Sequence, residues 1–455
     1  MRPSVVALVL AVLAIVFCQS SPPSWSIDAR ATPAIYDPDP SHLWNRLHAA
    51  IFVRADIPST ARVPDALDPP LWYHTSYLLA QPSHQRFVKL LDEFLSTHGE
   101  HLVRDPIKRA ILERDLWWVF DWSVEREPDR QNEPGDEKEK QELQSRLAEV
   151  MRRLALTPEE IRALPSNYAL AVSSGQFARE YDAAHPERPF LPPDLFDSNG
   201  SWVQIYNNGP NMEPVAVSHA QTFSRSTFVV FMRLPAGRKA TVDYLQTLWD
   251  FSQPWIARPD DERHEQTAVN PNLPQFPAGT EVALVRQMML FDNQGNVAAT
   301  PITESVQIRV YRKIAEIDRM HAATFAEAAR SSGQDFYQIV LSRSQLFAGR
   351  AGGLRATERD EKEFSVFQSF GFDEREPRPV MQSCFMCHNH AGISSLNTRE
   401  RLLKPNWLEH DSPPGAGDQT NPKWWEYDSD AGWKQHRYEW GLLNGYWKAA
   451  GGSSR

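Results

Sequence analysis

The stretch Glu281-Val282-Ala283-Leu284-Val285-Arg286-Gln287-Met288-Met289-Leu290-Phe291 runs straight into Asp292-Asn293-Gln294-Gly295-Asn296. Branched and long apolar side chains closed by turn formers predict a long strand and a tight reversal. Beyond the turn, Val306, Ile308 and Val310 alternate with Gln307, Arg309 and Tyr311, the period of a half-buried strand. Strand, turn and returning strand make an antiparallel sheet. Working outward, Trp202 to Tyr206, Thr227 to Leu234 and Phe336 to Leu341 read as further strands. Ala240 to Phe251 and Asp318 to Arg330 read as helices between them.

Toward the amino terminus the period changes. Trp44, Leu47, His48 and Ile51 recur at helix spacing, as do Phe87, Leu90, Leu91, Phe94 and Leu95. Ile107 to Trp122 is apolar on so many sides that it should lie centrally. The charged run Glu125 to Glu142, with Pro128, Pro134 and Gly135, reads as a solvated loop. Leu143, Leu147, Val150 and Leu154 mark an amphipathic helix, and Thr157-Pro158-Glu159-Glu160 is a start signal for the next. Pro186, Pro189, Pro192, Pro193 and Gly200 then break any helix. The expected fold class is α+β: a leader segment over 21–42, a mainly helical domain over 43–190, and an antiparallel-sheet domain over 200–399. A tail over 400–455, with six Trp, is expected to pack on the sheet domain.

Late in the sheet domain stands Cys384-Phe385-Met386-Cys387-His388. Two thiols three positions apart can each add to one vinyl group of a porphyrin, and the next residue then lies beneath the iron. A neutral imidazole there is a favoured ligand. Cys384 and Cys387 are therefore the expected thioether anchors of one covalent haem c, and His388 its proximal iron ligand. The other readings of the same residues are a redox-active dithiol, or a zinc or copper site using Cys384, Cys387, His388 and His390.

The rest of the chain bears on that choice. Arg2 precedes thirteen unbroken apolar residues, Val5 to Phe17, then Cys18-Gln19-Ser20. This is the pattern of a signal peptide over 1–20, too short to span a membrane as an ordinary helix. Its removal would leave Cys384 and Cys387 as the remaining cysteines of the chain's three. A lipid anchor at Cys18 is a second reading. The expected compartment is the periplasm or cell exterior, with no transmembrane span after cleavage. A net charge of −10 argues against a nucleic-acid partner.

The motif Cys384 to His388 resembles that of the c-type cytochromes. Phe276-Pro277-Ala278-Gly279-Thr280-Glu281-Val282, and the order of strands followed by a late haem motif, resemble the β-rich class that includes the cytochromes c′-beta and hydroxylamine-oxidising enzymes. That resemblance implies a sheet carrying the haem site. The hydroxylamine-oxidising members tie a strand lysine to the haem, whereas Phe336 to Leu341 holds no Lys and Arg343 follows it. The resemblance thus implies a gas-binding protein or an electron carrier.

The sixth position on the iron separates these. His390 lies two residues from His388, a reach of about 7 Å that cannot round a porphyrin edge. His410, His436, His219, His321, Met288, Met289 and Met381 are the other candidates, with Met288 and Met289 placed in an apolar strand. Arg343, Arg350 and Arg355 are candidate partners for the haem propionates. The expected function is one-electron transfer with a redox partner protein. An open-site haem that binds or turns over NO, CO or peroxide is the enzyme-class alternative, and a non-haem metal protein using the CxxCHxH residues is the third.

Overall fold

The computed structural model describes residues 33–53, 65, 67–68, 77–124, 136–205, 216–257, 267–317, 325–358, 361–363, 378–379, 384, 388–396 and 429–452. The expected signal peptide, Cys387, His321, Met381 and His410 lie outside them. The architecture is α+β, with helices mainly in the amino-terminal half and an antiparallel sheet after them. The helices of the first half are α1 (Leu43–Phe52), α2 (Ser83–Ser96), α3 (Pro106–Val124), α4 (Asp136–Leu154), α5 (Pro158–Arg162) and α6 (Asn167–Ser173). Then come β1 (Val203–Ile205), α7 (Val217–Thr222), β2 (Ser226–Arg233), α8 (Arg238–Asp250), β3 (Trp255–Ala257) and β4 (Thr267–Val269). The long pair β5 (Thr280–Phe291) and β6 (Val297–Tyr311) precedes α9 (Phe325–Ser331), β7 (Gln334–Leu341), α10 (Arg343–Phe347) and β8 (Leu354–Ala356). The short β9 (Lys362–Glu363) and β10 (Arg378–Pro379) follow, and α11 (Ser429–Gln435) and α12 (Tyr438–Gly452) close the chain.

Six strands pair antiparallel in the order β1-β2-β5-β6-β7-β8. The turn expected at 292–296 joins β5 to β6. Asp292 Oδ1 accepts from the amides of Gln294 and Asn296 at 2.9 and 2.8 Å, and Gly295 takes the left-handed conformation with φ 84°. β5 and β6 are buried on both faces because each face has its own core. Val229 and Phe231 of β2, Ala283 and Val285 of β5, Val306 and Ile308 of β6, and Ile339 of β7 join one cluster with the helices. Met232 and Val282 point the other way, into a smaller cluster with Leu245 and Leu248 of α8.

The central helix is α3, buried at every position from Ala110 to Ser123. Such a helix can carry charge only if each charge is matched. Arg114 bonds Glu304 of β6 and, at 2.8 Å, Asp68. Asp68 also accepts from Arg286 of β5 at 2.7 and 2.9 Å, and the two guanidinium groups hold its carboxyl well below the usual range despite burial. Asp115 takes a bidentate pair from Arg343 at 2.8 and 2.5 Å. Asp121 takes the Lys434 ammonium of α11 at 3.0 Å. These pairs lock helices, sheet and last segment together, and α12 packs on α4 and α3.

Two local features refine the sequence reading. Residues 136–142, expected as loop, belong to α4: Asp136-Glu137-Lys138-Glu139-Lys140 combines good helix formers with acidic groups at the helix start. Thr157 caps α5 as expected, with Pro158 in the first turn and Glu160 bonding back to the Thr157 amide at 2.7 Å. At the end of β7 the chain turns back through Ala351–Gly353, where Gly352 has φ 61°. A Cβ there would stand 2.0 Å from the Asn167 carbonyl oxygen. Asn167 in turn clamps α6 to β6, its amide donating to the Thr303 carbonyl at 2.9 Å and its oxygen accepting from the Thr303 amide at 2.6 Å. Gly352→Ala is therefore expected to cost about 1–3 kcal/mol through overpacking and backbone strain, read as a lower urea midpoint with an unchanged slope.

Candidate functional site

Residues directly opposite in a sheet share a face. By the pairing register, Phe228, Val230 and Met232 of β2 share one with Val282, Leu284 and Arg286 of β5, with Gln307 and Arg309 of β6, and with Phe336 and Gln338 of β7. Its Met232 and Val282 end lies opposite the face packed on α3, whereas Arg286 at the other end joins the Asp68 and Arg114 network. One end of it carries α8. Beyond α8, the same face meets the segment that contains Cys384 and His388.

Several contacts hold that segment. The His388 amide donates to the Cys384 carbonyl at 2.9 Å, which holds the two residues close together. Cys384 is buried among Ile317, Ala328 and Ala329, with Phe336 packed against them. The Ile317 amide donates to the Asn389 carbonyl at 2.9 Å, tying the chain after β6 to the residue after His388. Further on, Gln275 Oε1 accepts from the Ile393 amide at 2.8 Å. The stretch 276–282 thus begins beside the turn that follows the motif.

That turn sets the state of His388. Its Nδ1 lies 2.6 Å from the Ser395 carbonyl oxygen. A carbonyl only accepts, so Nδ1 carries the proton and Nε2 keeps its lone pair. Ser395 is fixed in its turn. Its hydroxyl donates to the Gly392 carbonyl at 2.7 Å and accepts from the Tyr311 hydroxyl, also at 2.7 Å, at the end of β6. Desolvation, then Arg309, then His219 push the His388 imidazolium well below its usual range, against the pull of the Ser395 carbonyl. Burial thus favours its neutral form.

Facing it is His219 of α7. The two rings lie 6.1 Å apart between centroids with planes 29° from parallel. Desolvation, Arg309 and Arg286 push His219 down to about 4, so it is neutral as well. Its ring also lies 5.5 Å from Phe228 on the sheet. Arg309, itself buried and 5.8 Å from the Phe336 ring, acts on both imidazoles.

The remaining candidates fall elsewhere. His390 is exposed. His436 is exposed too, its Nδ1 2.7 Å from the Gly432 carbonyl. Met288 and Met289 are core residues. Arg343 is not a propionate partner: it is buried against Asp115 and the Phe52 ring, on the helical side of the sheet. Arg355 is held by Glu361 at 2.7 and 2.6 Å, and Arg350 is exposed. Arg309, which the sequence reading placed only as an alternating strand residue, is a cation that acts on both imidazoles.

The donor set fits a haem. The His388 imidazole is oriented by a backbone carbonyl, Cys384 lies in an apolar pocket, and the buried Arg309 places positive charge beside them. Among the described residues the one group of three ligand atoms within 4.8 Å of one another is His98, Glu100 and His101, remote in sequence from Cys384, His388 and His390. No known protein family, no curated protein and no solved structure matches this chain. Among the described residues no helix is long and apolar enough to cross a membrane.

Proposed function

We propose that this chain is an exported monohaem c-type cytochrome that transfers single electrons. The haem is attached through Cys384 and Cys387, and His388 is its proximal ligand. The observation that carries the reading is the 2.6 Å contact from His388 Nδ1 to the Ser395 carbonyl, which frees Nε2 as a ligand and fixes the ring against rotation. When bound, the haem iron supplies a one-electron couple. The chain's own residues do the rest. Cys384 offers its thiol within an apolar pocket suited to a vinyl group. Tyr311 and Ser395 keep the imidazole in one tautomer. Arg309 places positive charge on the sheet face beside both imidazoles, which suits propionate recognition and favours the reduced iron.

A potentiometric titration of the protein, matured with its signal peptide in a host that attaches haem c, tests the activity. The expected result is a reversible visible transition that fits a single one-electron step. A protein holding haem but showing no reversible couple would count against electron transfer and favour turnover of a small ligand.

A further inference from the structure

The structure assigns His219 as the second axial ligand of the iron, opposite His388, which makes the centre a six-coordinate bis-histidine haem. This rests on the haem reading above and goes beyond it by naming the residue that decides between an electron carrier and an open, ligand-binding site.

The argument starts from the gap between the rings. A first-row metal ion sits about 2 Å from a ligating imidazole nitrogen. One ion held between two imidazoles therefore separates their ring centroids by roughly 6 to 6.5 Å, given a ring radius of about 1.2 Å. The observed separation is 6.1 Å. Ring pairs in this same protein span a range, from His48 and Phe52 at 4.5 Å with planes 13° apart to Phe223 and Phe228 at 6.1 Å. The His219–His388 spacing leaves room for one ion, and it is the meeting of two imidazoles at that distance, from segments remote in sequence, that points to ligation.

Position supports the same assignment. His390 is too near His388 in sequence to reach the opposite side of a porphyrin. His219 comes from α7, which packs on β2, while His388 follows the strands at the far end of the sheet's chain order. Two segments so separated can embrace a flat cofactor from both sides. The side chains around the two segments suit it. Phe228 and Phe336 supply aromatic surface, and Arg309 supplies the cation.

The test uses the full-length protein matured with covalent haem, read by absorption and electron paramagnetic resonance rather than by activity. The wild type is expected to be low-spin in both oxidation states, with a reduced spectrum that CO leaves unchanged on mixing. His219→Ala is expected to become high-spin and to bind CO, and added imidazole is expected to restore the low-spin spectrum. His219→Met, which keeps a ligand in place, is expected to stay low-spin, to gain a methionine-to-iron charge-transfer band, and to move the midpoint potential upward. A high-spin or CO-binding wild type overturns the assignment, and that result needs no variant to fold. A His219→Ala protein with the wild-type low-spin spectrum also overturns it. Failure of the underlying reading looks different: a wild-type chain with no covalent haem at all.

Discussion

The exported Cys384→Ala, Cys387→Ala double variant is expected to be colourless after purification under denaturing conditions, whereas the wild type keeps its visible bands. Both thioether bonds are then gone, and a haem held by axial ligands alone dissociates when the chain unfolds. The single Cys384→Ala variant tests the described half of the motif. Cys384 is 4 % exposed, so truncation removes one buried sulfur and costs about 1 kcal/mol of packing, too little to unfold a domain of this size. Haem yield is expected to fall about tenfold or more while far-ultraviolet circular dichroism stays that of the parent, because attachment depends on the thiol and the fold does not. Haem staining of denaturing gels reads the first quantity directly. A double variant that stained as strongly as the wild type would exclude thioether attachment at these positions.

The second large effect lies away from the site. Asp115→Ala removes the carboxylate that Arg343 grips at 2.8 and 2.5 Å, and both side chains are fully buried. Truncating one member of such a pair leaves a guanidinium in a low-dielectric interior without its bidentate partner, a loss of about 3–5 kcal/mol. The Tyr36 hydroxyl, 3.3 Å from Asp115, loses an acceptor at the same time. Urea denaturation should show the lowered midpoint. The double variant Asp115→Leu, Arg343→Met should recover most of the loss, since an apolar pair of similar volume avoids the desolvation of two ions. A single variant within about 1 kcal/mol of wild type would mean that the pair is solvated and that α3 is not the central element described.

These two sites differ in how far the sequence alone reveals them. The motif is local: Cys384, Cys387 and His388 carry their chemistry in their spacing. The β5–β6 hairpin is local too, because β-branched alternation and Asp292-Asn293-Gln294-Gly295-Asn296 specify strand and turn within one window. Thr157, Pro158 and Glu160 announce a helix start in the same way. The α+β class follows from such windows added together.

What escapes is whatever depends on two windows meeting. His219 is one of several histidines in the sequence, and only the sheet's pairing brings α7 beside His388. Arg343 attracted a propionate role because a charge near the motif in sequence suggests nearness in space. The register of β7 instead turns the segment after it toward α3 and Asp115. Arg309 had the opposite fate, since its alternation with Ile308 and Val310 marks only a solvent-side or second-core position, and the structure puts that side beside His219 and His388. Residues 136–142 misled for a different reason. A charged run with flanking Pro and Gly reads as loop, yet Glu and Lys are strong helix formers once α4 is anchored by Leu143, Leu147 and Val150 against its neighbours.

The most direct test of the account is the intact mass of the mature exported protein, followed by peptide mapping. The account predicts a chain heavier by one haem, with the added mass on the peptide that spans Cys384 to His388. A mature chain of unmodified mass, or one that carries zinc or copper in place of haem, would contradict it.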